Sequence, residues 1–174
     1  SILNDNSNLF IGAGGNGSIT VANGGNVILN ASVFALGQQS NNTGTGLVTG
    51  TNSSLSAYGM NVGLSGGGNL AVANGGRVSS ETSLLLAYEG ANSSVLVTDP
   101  QSSLSTVSDI RVGDFGNGTL TIANGGNVTD GGALYLGYQI NGTVTVTGAN
   151  SSINVVNETD VGIYGNGSFT ISNG

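Results

Sequence analysis

Residues Ile110–Val128 read IRVGDFGNGTLTIANGGNV, and most of the chain is a variant of this stretch. Its core, GNGTLTIANGG, returns as GNGSITVANGG from Gly15, as GGNLAVANGG from Gly67 and as GNGSFTISNG at the end. The asparagine of the closing corner falls at Asn23, Asn74, Asn124 and Asn173, at intervals of 51, 50 and 49 residues. A near-constant period of this length is the mark of a repeat architecture, in which each unit buries its apolar face only by stacking on its neighbours.

The period divides in two. Short apolar stretches ending in a small residue close at Gly12, Gly37, Gly63, Ala87, Gly113, Gly137 and Gly162, with spacings of 25, 26, 24, 26, 24 and 25. Apolar residues alternate before each closing position, as in strands and unlike helices: Leu9 and Ile11, Phe34 and Leu36, Met60 and Val62, Leu84 and Leu86, Ile110 and Val112, Leu134 and Leu136, Thr159 and Val161. A second alternating set includes Ile19 and Val21, Leu70 and Val72, Val95 and Val97, Leu120 and Ile122, Val144 and Val146, Phe169 and Ile171; the coil after Gly37 offers only Val48 clearly. A third follows the corner, with Val27 and Leu29, Leu55 and Ala57, Val78, Leu104 and Thr106, Val128, Ile153 and Val155.

The expected fold is therefore all-β: a single-stranded, right-handed parallel β-helix, or β-solenoid, of about seven coils of about 25 residues with three strands per coil. At about 4.8 Å per coil, seven coils would rise roughly 34 Å. The corners at Gly12, Gly37, Gly63, Gly113, Gly137 and Gly162, and at Asn23, Asn74, Asn124 and Asn173, read as structural positions of positive φ, which glycine adopts without strain and asparagine tolerates. Alternate coils replace ANGG by Asn52-Ser53-Ser54, Gln101-Ser102-Ser103 and Asn150-Ser151-Ser152, and amide ladders are expected at these stacked corners. Residues 1–174 are expected to form one continuous solenoid segment, within a longer solenoid or a head-to-tail fibre, because joining Gly174 to Ser1 continues the coil in register.

Composition narrows the function. Only 6% of residues are charged, against the usual quarter, so the surface is serine, threonine, asparagine and glycine. The net charge of −7 rests on two arginines, Arg77 and Arg111, without lysine or histidine; a basic surface for nucleic acid or anionic lipid cannot form. Without cysteine there is no disulfide or thiolate site, and without histidine the commonest general base and zinc ligand is missing. No run approaches the roughly 18 apolar residues that cross a bilayer as a helix, so membrane insertion by this segment is not expected.

The repeats VGDFGNGTLTIANGGNV, LYLGYQINGTVTVTGANSSINV and VGIYGNGSFTISNG resemble the repeat blocks of bacterial autotransporter passenger domains, the β-helical secreted part of type V secretion proteins. The likeness covers essentially the whole chain, and its motifs specify a coil. It implies export, an extracellular or outer cell-surface location, and adhesion or self-association.

Chemistry is sparse. Asp109, Asp114, Asp130 and Asp160 occupy different offsets within their coils, share no column and read as solvated structural residues, with no pair set for two-carboxylate glycoside cleavage. The motif GGNGSITVA lacks the aspartate of calcium-binding nonapeptides, so no metal or other cofactor is expected. Tyr88 and Tyr138, two coils apart in an outward column that also holds Asp114 and Ile163, are candidate glycan contacts; the alternative is simple stacking across one face. Glycosylation sequons begin at Asn16, Asn30, Asn41, Asn52, Asn92, Asn117, Asn127, Asn141, Asn150, Asn157 and Asn166. The expectation is a non-enzymatic, adhesive or self-associating stalk or filament subunit whose partners are itself and surface glycans or other cells. A glycan-binding or carbohydrate-active β-helix protein is the alternative.

Overall fold

The computed structural model describes residues 1–89 and 92–174, and among these there are strands and turns but no helix. In chain order the strands are β1 (Ile2–Asp5), β2 (Leu9–Ile11), β3 (Gly17–Ala22), β4 (Asn26–Leu36), β5 (Thr43–Thr49) and β6 (Ser54–Val62). They continue with β7 (Gly67–Ala73), β8 (Arg77–Ser80), β9 (Leu84–Leu86), β10 (Ser93–Thr98), β11 (Ser103–Thr106) and β12 (Ile110–Val112). The last are β13 (Gly118–Ala123), β14 (Asn127–Asp130), β15 (Leu134–Leu136), β16 (Asn141–Thr147), β17 (Ser152–Val155), β18 (Thr159–Val161) and β19 (Asn166–Ser172).

All pairings are parallel, and each strand pairs with its equivalent one coil away, so the chain is a β-solenoid. Three columns result. The first runs β2, the end of β4, the end of β6, β9, β12, β15, β18; the second is β3-β5-β7-β10-β13-β16-β19; the third runs β1, the start of β4, the start of β6, β8, β11, β14, β17. The first and third columns fuse into one sheet because β4 and β6 pass through their shared corner without a break, β4 with a register shift between Leu29 and Val33.

The register is the one the hydrophobic alternation predicts. Leu9, Phe34, Met60, Leu84, Ile110, Leu134 and Thr159 lie one over the next, as do Ile11, Leu36, Val62, Leu86, Val112, Leu136 and Val161. Burial follows: from Phe34 to Leu136 these residues are essentially inaccessible, and one apolar cluster runs the length of the stack. Each fully buried Leu, Ile, Val or Phe contributes about 1.5–3 kcal/mol. The weak second strand after Gly37 is explained by Gly46, which lies in the inward column between Ile19 and Leu70. A Cβ there would come within 3.0 Å of Leu70 Cδ1 and 3.4 Å of Leu36 Cδ1, so neighbouring leucines occupy the missing volume.

The corners carry the positive φ expected of them. Asn23, Asn74, Asn124 and Asn173 have φ of 53°, 51°, 51° and 55°, and Asn52, Gln101 and Asn150 have 64°, 68° and 63°. Gly12, Gly37, Gly63, Gly113, Gly137 and Gly162 lie between 65° and 86°, while Ala87 accepts φ 61° at the equivalent place.

Side-chain bonding at these corners differs from the expectation of amide ladders. Three of the four corner asparagines donate to a threonine of the preceding coil: Asn74 to Thr49 (3.1 Å), Asn124 to Thr98 (3.2 Å) and Asn173 to Thr147 (3.3 Å). The glycine after it donates its N–H to a serine hydroxyl of the following coil: Gly24 to Ser53 (3.0 Å), Gly75 to Ser102 (2.9 Å) and Gly125 to Ser151 (3.0 Å). ANGG and NSS coils thus interlock on both sides, which gives the 50-residue repeat its physical basis. The asparagine ladder stands at another corner, before the second strand. There Asn166 donates to Asn141 (2.9 Å), Asn141 to Asn117 (2.7 Å) and Asn117 to Asn92 (2.7 Å).

Candidate functional site

The turn after each first-column strand leaves its following residues on one edge of the prism. In four successive coils that edge carries an aromatic ring: Tyr88 directly after Ala87, Phe115 two residues after Gly113, Tyr138 directly after Gly137, and Tyr164 two residues after Gly162. Tyr88 and Phe115 meet edge to face with centroids 6.3 Å apart, and Tyr138 and Tyr164 meet at 5.9 Å. Tyr135 joins Tyr138 at 5.8 Å. Phe115 and Tyr164 are 51% and 73% exposed, so the strip presents ring surface to solvent along about three coil rises, roughly 14 Å. Tyr88 and Tyr138 therefore anchor two clusters on one edge.

The strip has a cationic member. Arg111 projects outward from β12, in the column Leu85, Arg111, Tyr135, Asp160. Its guanidinium carbon lies 4.9 Å from the Tyr138 centroid and 5.9 Å from that of Tyr135, within cation–π range. Asp109 faces the same guanidinium at 3.8 Å, a partly exposed pair worth little by itself. The Tyr135 hydroxyl donates to Glu158 Oε1 at 3.3 Å. Its ionisation is pushed up by lost solvation first, and then by the negative charges of Asp109, Glu158 and Asp160.

The acidic residues depart from the solvated reading in two places. Asp114 is 1% exposed, so it leaves the outward column in which its offset placed it. Its Oδ1 has no hydrogen-bond partner, nor does the buried Nε of Arg111. Burial raises the Asp114 carboxyl above its ordinary value, and the positive charge of Arg111 pulls it back. Asp130 is also fully buried. The third-column register puts it inward, in the row Asp5, Leu29, Ala57, Ser80, Thr106, Asp130, Val155.

Asp130 accepts from Gly132 N (3.0 Å), Ile110 N (3.3 Å) and Thr106 Oγ1 (3.3 Å). Asp109 Oδ1 accepts from Ala133 N at 3.1 Å, so these two carboxylates cross-brace adjacent coils even though their offsets differ. Asp130 is raised chiefly by burial and also by Asp109, with its hydrogen bonds opposing. Asp5, at the head of the row, makes the same i to i+2 turn with Ser7 N (2.9 Å), but exposed; its hydrogen bonds lower its carboxyl. These aspartates hold corners.

The sequons divide by what their amides do. Asn30, Asn117, Asn127, Asn141 and Asn166 donate Nδ2 to another side chain, Asn30 to Asn4 and Asn127 to Ser152. Asn16 and Asn92 accept through Oδ1, while Asn41, Asn52, Asn150 and Asn157 lie exposed on turns. Among the described residues no group of three or more acidic side chains is placed to hold a metal ion.

Sequence reasoning found Tyr88 and Tyr138 but missed Phe115, Tyr164, Tyr135 and Arg111. The usable signal was the two-coil period. The ring follows its turn by one residue in NSS-type coils and by two in ANGG-type coils, so a single-offset column shows only half the strip.

Fold and edge together define the class: a β-solenoid repeat protein with an aromatic strip along one corner. No protein-family model matches the chain, and no curated protein or solved structure matches it significantly.

Proposed function

We propose that the chain is a structural and interaction module, a rigid stalk or filament segment displayed outside the cell in the manner of an autotransporter passenger domain, which extends and presents repeated weak contacts. The observation that supports it most is the unbroken stack: three hydrogen-bonded columns and one apolar core pass through seven coils, and no coil carries an insertion that would build a cleft. The proposal is non-catalytic, because Asp130 and Asp109 are committed to backbone N–H groups at corners and Asp114 is shut away from solvent. A surface with two arginines and no lysine gives trypsin-like proteases little to cut, which suits an exposed location.

The test is imaging of the purified protein together with antibody labelling of unpermeabilised source cells. Rods or uniform fibres and surface label support the proposal; compact, irregular particles or label confined to the cell interior contradict it.

Glycan contact along the aromatic strip is a second reading, favoured by one ring per coil over four coils with Arg111 and carboxylates beside them. Rings set edge to face leave exposed surface for the C–H face of a sugar, and carboxylates accept from its hydroxyls. Binding to a glycan array that falls at least about tenfold in Tyr138→Ala and Tyr164→Ala supports it; equal binding by the variants rejects it.

A further inference from the structure

The outer face of the second column has a composition unlike the rest of the surface. Its seven strands are in register, and three or four outward positions per strand make a regular grid. Eleven of the chain's sixteen threonines stand on it, among them Thr119, Thr121, Thr143, Thr145, Thr147 and Thr170. None of the chain's nine acidic residues and neither arginine does. The column through the middle of the grid reads Thr20, Leu47, Ala71, Leu96, Thr121, Thr145, Thr170. The Leu47-Ala71-Leu96 segment is an apolar centre bordered by hydroxyls, and Leu96 is 37% exposed. The Asn92-Asn117-Asn141-Asn166 ladder borders the same grid and fixes its edge.

We propose that this face is where two copies of the chain lie side by side. With a net charge of −7 and a pI near 4.1, copies repel one another over most of their surface, and the second-column face is where they approach without opposing charges. Short, in-register Thr, Ser and Ala side chains make a flat surface of the kind that paired sheets bury. With the two-fold axis at Ala71 the five coils from β3 to β13 face each other, and their roughly 24 Å by 20 Å would remove about 1,000 Å² from water over both copies, the size of a weak, reversible interface. The arrangement of an apolar centre within a hydroxyl rim is that of protein interfaces generally. Leu47 and Leu96 flank Ala71 almost symmetrically, as an isologous two-fold contact requires, with Leu47 of one copy meeting Leu96 of the other.

This pairing rests on the self-association in the proposed function and names its surface and partner. It is lateral, so it is separable from end-to-end growth: with the axis at Ala71 a pair is about nine coils long and two copies wide, whereas end-to-end growth doubles the length at constant width.

The natural absence of cysteine allows a direct test. Ala71→Cys places one thiol at the proposed two-fold axis, and Ser79→Cys places one on the third-column face as a control. Under mild oxidation Ala71→Cys should form disulfide-linked dimers at least about tenfold faster than Ser79→Cys, and Leu96→Glu added to Ala71→Cys should abolish the difference. Sedimentation of the cysteine-free protein should show a concentration-dependent dimer that Leu96→Glu weakens at least about tenfold, with circular dichroism unchanged. Equal cross-linking at both positions, absence of cross-linking at Ala71→Cys, or a protein that sediments as a monomer at every concentration would overturn the proposal. If Leu96→Glu alters the spectrum, Thr145→Lys on the same face supplies the comparison and must give the same loss.

Discussion

Asp114 is buried beside an arginine with one carboxylate oxygen unpartnered, which makes it a fault in an otherwise well-satisfied structure. Its carboxyl is raised by burial, as is that of Asp130, so the folded chain binds more protons than the unfolded chain between the ordinary value of 3.8 and the raised folded values. Where the native state binds more protons, stability falls as pH rises. These two groups therefore favour folding at low pH and oppose it above their folded values, whereas exposed Asp5, lowered by its bonds to Ser7, acts in the opposite sense. Thermal melts should show Asp114→Asn more stable than the parent at pH 7 and indistinguishable from it below the ordinary carboxylate value. A loss of stability at pH 7 would show that the Asp114 charge is used.

Glycine offers a second residue-scale test. Gly17, Gly44, Gly68, Ser93, Gly118, Gly142 and Gly167 follow one another in one inward column, glycine in every coil but one, and a Cβ on Gly142 would be driven into the Val112 carbonyl and the Gly137 amide. Denaturant unfolding should find Gly142→Ala destabilised by about 1–3 kcal/mol or more. Gly14→Ala, facing open space, should be neutral or stabilising by less than about 1 kcal/mol.

At the scale of elements, the interlocking of two coil types is the main finding. Gly75 N reaches Ser102 Oγ across the coil boundary, and Ser102 is completely buried. Removing the hydroxyl in Ser102→Ala orphans that N–H and should cost about 1–3 kcal/mol in equilibrium unfolding; a change below about 0.5 kcal/mol would mean water replaces it. The apolar columns were legible in the sequence residue by residue, because alternation in a two-residue period together with a 25-residue repeat leaves one register that buries Leu84, Ile110 and Leu134 together. Corner chemistry was not. The stacking of corners pointed to ladders at ANGG, where the amide instead meets Thr49 or Thr98 because the preceding coil is of the other type. An asparagine precedes the second strand in four consecutive coils, at Asn92, Asn117, Asn141 and Asn166, so the ladder formed there. Asp130 reads as solvated until the register sets it in line with Leu29 and Val155.

At the scale of the whole molecule these features make a rod: one core, three columns and corners that bind each coil to the next. The aromatic strip stands at the corner where the uncharged hydroxyl face begins, with Phe115 and Tyr164 two residues before Asn117 and Asn166 of the ladder. Stiffness over length is the property on which the proposed role rests, and it depends on coils rising by equal steps on one axis. Spin labels on outward third-column positions measure this directly in a chain without native cysteine. Asn154 paired in turn with Ser105, Ser56 and Asn4 spans two, four and six coils. The stack predicts narrow distance distributions near about 10, 19 and 29 Å, increasing linearly with coil number. Broad distributions, or distances that fail to grow in proportion to the coils between them, would contradict it.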